Sequence, residues 1–224
     1  MSNQHTWIQS FARTKGKSLS SRQKQLLADF LPQVVASKAL FDGDSLPIQM
    51  EIGFGDGKHL VHQALSQPDT YFIGCEPFVN GAAKLLSSVD RLKIENIKVF
   101  IGDCRAFISE IPDDRISCIY VLFPDPWPKK RHHKRRLVQK GFLALIWRVL
   151  APDGSIRFAS DNREYAKEVF ELVNSGFGFR ASSQSLDLCI HPQNPWSPVM
   201  TKYEEKARLA GSDCFFIEAL KVCS

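Results

Sequence analysis

The sequence predicts an α/β fold built on a mainly parallel sheet with helices on both faces. Three observations lead there. Short apolar runs alternate with helical patterns from Pro47 onward. The first run ends in a glycine-spaced loop that opens directly into a helical pattern. Five successive runs end in an acidic residue, which gathers carboxylates on one edge of the sheet.

Taken in order, Ser20 and Gln23 have the spacing of a capping box, and a short helix is expected to run to Leu31 and stop before Pro32. "PIQMEIGFG" reads as the first strand, with a helix over His59–Ser66. "TYFIGCE" is the second, with a helix across Ala82–Leu92, and "IKVFIGD" the third, with a short helix at Arg105–Glu110. "ISCIYVLF" is the fourth, followed after a basic block by an amphipathic helix over Leu137–Leu150. The turn signal Pro152-Asp153-Gly154 introduces a fifth strand, "GSIRFASD", and a helix over Arg163–Asn174 follows. "FRASSQ" and "CFFIEALKV" close the sheet around a Pro-rich insert and the helix "KYEEKARLAG".

At 224 residues the chain suits one domain with a small appendage. No apolar run reaches the length of a membrane span and no secretory h-region is visible, so a cytoplasmic protein is expected. The six cysteines form no CxxC and several lie in apolar runs, which fits buried reduced thiols. His59 and His62 could share a helix face, but nothing supplies a third ligand, and no metal is expected. Net charge is only +5, yet it is concentrated. Arg13, Lys15, Lys17, Arg22 and Lys24 precede the first acid, Asp29, and a second cluster fills 129–136. Two basic segments on a balanced protein suggest a polyanionic partner.

"EIGFGDG" spaces its glycines as Gly53, Gly55 and Gly57. A dinucleotide fingerprint would need glycine at 58, where this chain has Lys58, and that disfavours a nicotinamide dehydrogenase. Glu51 before the loop would repel a pyrophosphate but suits a cationic ligand such as the amino-acid end of S-adenosylmethionine. Glu76 after the second strand can accept both ribose hydroxyls, and Asp103 after the third is placed to meet an adenine amino group. Asp125 after the fourth strand belongs near the transferred methyl. Pro124 and Pro126 fix two φ angles around it and disfavour helix at Phe123 and Asp125. Trp127 and the cations that follow make nucleic acid the economical acceptor.

"FPDPWPKKRHHKRR" at 123–136 resembles the hallmark of the bacterial tRNA (guanine-N7-)-methyltransferases. "EIGFGDG", "ASDNREYA" at 159–166 and "TKYE" at 201–204 resemble that family's other signatures in the right order. The resemblance, which covers roughly residues 45–220, implies a Rossmann-like class I methyltransferase domain on a seven-stranded sheet over 41–224; charge and capping pattern read residues 1–40 before it as a basic arm and short helix. It implies S-adenosylmethionine at Glu51, Gly53, Gly55, Gly57, Glu76, Asp103 and Asp125, with Asp125 also catalytic. It implies substrate contacts at Lys129, Asp161, Thr201, Lys202, Tyr203 and Glu204, and RNA contacts at Arg131, His132, His133, Lys134, Arg135 and Arg136. The implied product is 7-methylguanosine in the tRNA variable loop, made by a monomer or weak homodimer. Asp161-x-x-Glu164 and Thr201-x-x-Glu204 also fit capping boxes. The competing readings are a methyltransferase acting on another RNA or on protein, and a non-catalytic RNA-binding module on the same fold.

Overall fold

The computed structural model describes residues 14, 16–42, 46–176 and 178–222. Arg13 and Lys15 of the basic leader, and Cys223, lie outside the described residues. The chain begins with α1 (Ser21–Gln25), a π-helical turn (Leu26–Phe30) and α2 (Leu31–Val34). Ser20 caps α1 through a reciprocal box with Gln23, as the spacing predicts. The expected stop before Pro32 does not occur. Pro32 falls in the first turn of α2, where a missing N–H costs little, and the preceding π turn widens the helix ahead of its ring. Leu26 is buried in the core, and Ala36 N–H donates to Val99 O at 2.9 Å, so this segment shares the domain's packing.

The alternation then runs as β1 (Ile48–Ile52), α3 (Lys58–Ser66), β2 (Tyr71–Cys75), α4 (Val79–Leu92), β3 (Ile97–Phe100) and α5 (Cys104–Glu110). It continues through β4 (Ile116–Leu122), α6 (Lys140–Val149), β5 (Leu150–Ser160) and α7 (Arg163–Val173). The chain closes with β6 (Phe179–Ala181), α8 (Lys202–Leu209) and β7 (Phe215–Lys221). The sheet has seven strands in the order β3-β2-β1-β4-β5-β7-β6, parallel except for β7, which pairs antiparallel with β5 and β6. Strand order reverses between β1 and β4. A crevice opens beyond the carboxyl ends of the strands at such a reversal.

Two sequence expectations shift at element edges. The helix expected from Leu137 starts at Lys140, because Val138 N–H donates to the buried Tyr165 hydroxyl at 3.0 Å instead of entering the helix. Pro152-Asp153-Gly154 does not precede β5 but lies within it. The β4 pairing jumps from Ile116↔Leu150 to Cys118↔Ser155, so the turn is absorbed as an irregularity with Asp153 at φ 61°.

The two faces of the sheet differ. One carries a continuous core in which Met50, Ile52, Ile73, Val121, Ile156 and Phe158 pack against α5, α6 and α7. On the other, Phe72, Ile97 and Val99 pack under α3 and α4, while Tyr120, Leu122, Ala159 and Phe216 form a separate cluster with Ala207 of α8. Cys75, Cys104, Cys118, Cys189 and Cys214 are free and buried, as their apolar settings suggest. Among the described residues no helix is long and apolar enough to cross a membrane.

Candidate active site

A cleft opens at the strand reversal, lined by Glu51, Gly53 and Gly55 from the glycine loop, Phe78 and Gly81 from the turn into α4, and Thr201, Lys202 and Tyr203 from the start of α8. The glycine loop holds its shape through backbone freedom. Gly55 has φ 58°, and a Cβ built there would meet nothing within 4 Å, so the space beside it is open to a ligand. At Gly81 the reason is close approach: a Cβ would fall 2.2 Å from Gly55 O. Gly57 caps α3 rather than lining the cleft, and a Cβ there would sit 2.7 Å from Leu85.

Glu76 ties the cleft together. It is 7% exposed, and its two oxygens accept the N–H of Gly55 at 2.8 Å and of Phe78 at 2.9 Å. A carboxylate offers about four acceptor sites, so both oxygens remain able to take a ligand hydroxyl. Burial pushes its carboxyl above the ordinary glutamate range. The two N–H donors work against that shift, and the charges of Glu51 and Asp125 add to it.

Asp103 is less available than its strand-end position suggests. It caps α5 and accepts both the N–H and the Nε–H of Arg105, at 3.0 and 2.9 Å. Burial acts to raise its carboxyl, but the Arg105 hydrogen bonds and charge outweigh it and hold Asp103 low. An adenine amino group there would have to share a carboxylate already forked by a guanidinium.

The proline-flanked loop carries Asp125 exposed, close enough for its charge to be felt at Glu76 and Tyr203. The loop is tightly bent: Phe123 and Trp127 both take left-handed conformations, at φ 51° and 44°. Phe123 N–H donates to Ala159 O at 2.8 Å, which pins the loop to the end of β5.

The basic block folds as a 3₁₀ turn, Lys130–Arg135. Lys129, Lys130, Arg131 and Lys134 are exposed. Trp127 is used internally: His132 packs edge-on at 5.9 Å, and Arg135 lies over its ring at 5.0 Å. Desolvation and then the surrounding cations Arg135, Arg131, Lys129 and Lys134 lower the His132 imidazole. His133 sits 3.7 Å from Glu164.

Arg136, expected to grip RNA, instead points inward. Its side chain is 1% exposed, pairs with Glu168 and Glu164, and lies over the Tyr165 ring at 4.9 Å. Its Nε–H donates to Pro126 O at 2.8 Å. The guanidinium therefore clamps the Asp125 loop onto α7, and burial among carboxylates removes it from any phosphate.

The capping expectations also divide. Asn162, not Asp161, caps α7, its Oδ1 accepting Tyr165 N–H at 2.8 Å, and Asp161 stands exposed at the end of β5. Thr201 does cap α8, accepting Glu204 N–H at 3.1 Å. Glu204 does not reciprocate. It is fully buried, with Oε1 taking Arg208 Nε–H and Nη2–H at 3.0 and 2.7 Å, while Oε2 has no hydrogen-bond partner among the described residues. Burial, with Asp125 and Glu76 next, raises the Tyr203 phenol at the cleft mouth. His59, weighed from the sequence only as a metal ligand, Lys58, used only against a dinucleotide fingerprint, and Lys84, not singled out, also line the cleft. Among the described residues no group of three His, Cys, Asp or Glu could hold a metal ion.

Fold and site together define an α/β protein of the doubly wound class, with a ligand-sized cleft at the strand reversal. Solved structures agree on the fold. An antibiotic-resistance methyltransferase superposes with TM-score 0.57 at 14% identity, covering 85% of this chain and 95% of that one. A SAM-dependent methyltransferase from Aquifex aeolicus gives 0.52 at 14%, covering 92% and 100%. The model of a family described as "Putative methyltransferase" matches residues 45–217. Curated relatives named tRNA (guanine-N(7)-)-methyltransferase are 39% identical over 207 residues in a Caulobacter species, covering 90% of each chain, and 36% identical over 219 residues in Zymomonas mobilis, covering 95% of this chain and 94% of that one. This chain belongs to the tRNA (guanine-N7-)-methyltransferase family.

Because Glu76 is raised, the folded, ligand-free protein holds more protons than the unfolded chain between the ordinary glutamate range and Glu76's own value. In that window its contribution to stability falls as pH rises. Asp125→Asn removes one of the charges raising it, so the Glu76 carboxyl should titrate at lower pH in the variant, measured by ¹³C NMR of the glutamate side chains. An unmoved titration would separate Asp125 from the cleft.

Proposed function

We propose that the protein transfers the methyl group of S-adenosylmethionine to N7 of a guanosine in tRNA, giving 7-methylguanosine. The observation that carries this reading is one loop. Asp125 stands exposed on it, its charge acting on Glu76 and on Tyr203 of the cleft, and an exposed cationic turn follows within a few residues. Membership of a family whose curated relatives bear that activity in their names supports it.

The residues fit such a cofactor. Gly53 and Gly55 leave open space where side chains would stand, Glu51 lines the cleft with a buried carboxylate, and Glu76 keeps free acceptor sites beside it. Bound there, S-adenosylmethionine supplies an electrophilic methyl. Guanine N7 carries an in-plane lone pair and no proton, so no side chain has to act as a base. The work left to the chain is positioning and charge. Asp125 orients the guanine through its N1–H and exocyclic amine and offsets the positive charge that passes to the purine. The backbone of the loop is held by Arg136 on Pro126 O and by Ala159 O on Phe123 N–H, so Asp125 needs no reorganisation to do so. Asp161, exposed at the end of β5, stands in reserve for the guanine, whereas the reserve role expected of Glu204 does not fit a fully buried side chain held by Arg208. Thr201, Lys202 and Tyr203 close the far wall of the cleft around it.

The finer features belong to the same proposal: a variable-loop guanosine, a cytoplasmic monomer or weak homodimer, and a division into an arm with a short helix over 1–40 and a methyltransferase domain over 41–224. RNA phosphates fall to Lys129, Lys130, Arg131 and Lys134, with His132, His133 and Arg135 shaping the turn.

Incubation of unmodified tRNA with the protein and methyl-labelled cofactor, followed by nucleoside mass spectrometry, should yield 7-methylguanosine. Label in another nucleoside or in protein would replace the proposal, and no cofactor binding would leave an RNA-binding module. Asp125→Asn should lower kcat by about 100-fold or more while cofactor affinity stays within a few fold; near-normal turnover would remove Asp125 from the chemistry. Four exposed cations predict a log–log salt slope for tRNA binding of about −3 to −3.5. Arg131→Ala should flatten it by about one, and a slope near zero would refute phosphate contact by the turn.

A further inference from the structure

A polar row crosses the sheet beneath the cleft. Strand register sets Glu51 beside Tyr120, Tyr120 beside Arg157, and Arg157 beside Glu218. The row is joined by a chain of hydrogen bonds that begins at Arg157 and ends at Glu51. Arg157 donates Nε–H to Glu218 at 2.7 Å and Nη1–H to the Tyr120 hydroxyl at 2.8 Å. Tyr120 O–H donates to Gln49 Oε1 at 3.2 Å, Gln49 Nε2 to Gln67 Oε1 at 3.1 Å, and Gln67 Nε2 to Gln63 Oε1 at 2.8 Å. Gln63 Nε2 lies 3.1 Å from His59 Nε2, and His59 Nδ1 lies 2.8 Å from Glu51 Oε2.

Two groups at fixed ends give this chain one direction. A guanidinium has donors and no acceptor. The Tyr120 oxygen must therefore accept from Arg157 and send its single proton on to Gln49, and each amide in turn passes a donor forward. Gln63 is fixed independently, because its Nε2 also donates to the carbonyl of Trp196 at 2.9 Å, and a carbonyl only accepts. Gln63 thus presents N–H to His59 Nε2, which accepts. His59 carries its one proton on Nδ1 and donates it to Glu51.

We propose that His59 is a positioning residue for cofactor binding. Held as the neutral Nδ1–H tautomer, it orients the Glu51 carboxylate without cancelling its charge, so that the full negative charge meets the α-ammonium of S-adenosylmethionine. The pair is closed to water, with both side chains no more than 2% exposed. Tyr120 lies edge-on to the imidazole at 5.0 Å, and Arg157 lies over the Tyr120 ring at 5.4 Å. A second imidazole proton would point at the Gln63 N–H, where it has no acceptor. Through Trp196 the chain also reaches the insert that leads to Thr201, joining the cofactor end of the cleft to its substrate wall.

This inference rests on the reading of Glu51 as the ammonium site, and the test separates the two. S-adenosylhomocysteine, which has the α-ammonium, and 5′-methylthioadenosine, which lacks the amino-acid part, are titrated calorimetrically into the full chain. His59→Phe should weaken S-adenosylhomocysteine by about tenfold or more while methylthioadenosine changes less than about twofold, and His59→Asn, whose amide restores the donor, should recover much of the loss. Equal losses for both ligands, or none, would overturn the proposal and leave His59 a packing residue. Glu51→Gln should abolish the preference between the two ligands; if it does not, the reading of Glu51 fails instead. Should His59→Phe not fold, ¹⁵N NMR of the wild-type imidazole decides the matter: protonated Nδ1 with bare Nε2 supports the proposal, and a doubly protonated ring overturns it.

Discussion

Two backbone N–H groups, from Gly55 and Phe78, converge on one buried carboxylate, Glu76, and the cleft exists because they do. The first belongs to the loop after β1 and the second to the turn after β2, so a single side chain fixes the separation of the two walls. A buried N–H left without an acceptor is costly, so the carboxylate holds both walls in place. The cost of burying Glu76 shows in its raised carboxyl. The glycines are the complement of this clamp, since Gly81 lets α4 come up against Gly55 O and open backbone at Gly55 leaves room for a ligand.

The Asp125 loop is built on the same principle, a charged group spent on holding backbone. Arg136 sits at the end of the most basic stretch of the chain, yet it is buried between α7 and the Asp125 loop and donates to Pro126 O. Two left-handed residues, Phe123 and Trp127, bracket that loop, and such conformations persist only where surrounding contacts enforce them. The cations that remain outward are those of the 3₁₀ turn. Outward charge and loop stiffness thus come from adjacent residues with opposite exposure.

Much of the fold was legible because it depends on local pattern. The apolar runs, the glycine loop and the acidic strand ends fall where spacing predicts, and the alternation with helices accounts for the parallel pairing of the first five strands. What the sequence hid is decided by partners far along the chain. Nothing near Arg136 announces Glu168, nothing near Gln63 announces the carbonyl of Trp196, and Glu204 looks like half of a capping box until Arg208 takes its carboxylate. Asn162 outcompeted Asp161 as the cap of α7 because the chain turns one residue later than the pattern suggests. Pro32 marked a helix stop only in the absence of the π turn before it.

The claim that Glu76 organises the cleft is tested most directly by calorimetric titration of S-adenosylhomocysteine into Glu76→Gln. A glutamine can accept one of the two N–H groups but must turn its own amide donors toward the other. The account predicts affinity lower by about tenfold or more, with the circular-dichroism spectrum of the wild type retained. Unchanged affinity in the folded variant would contradict it.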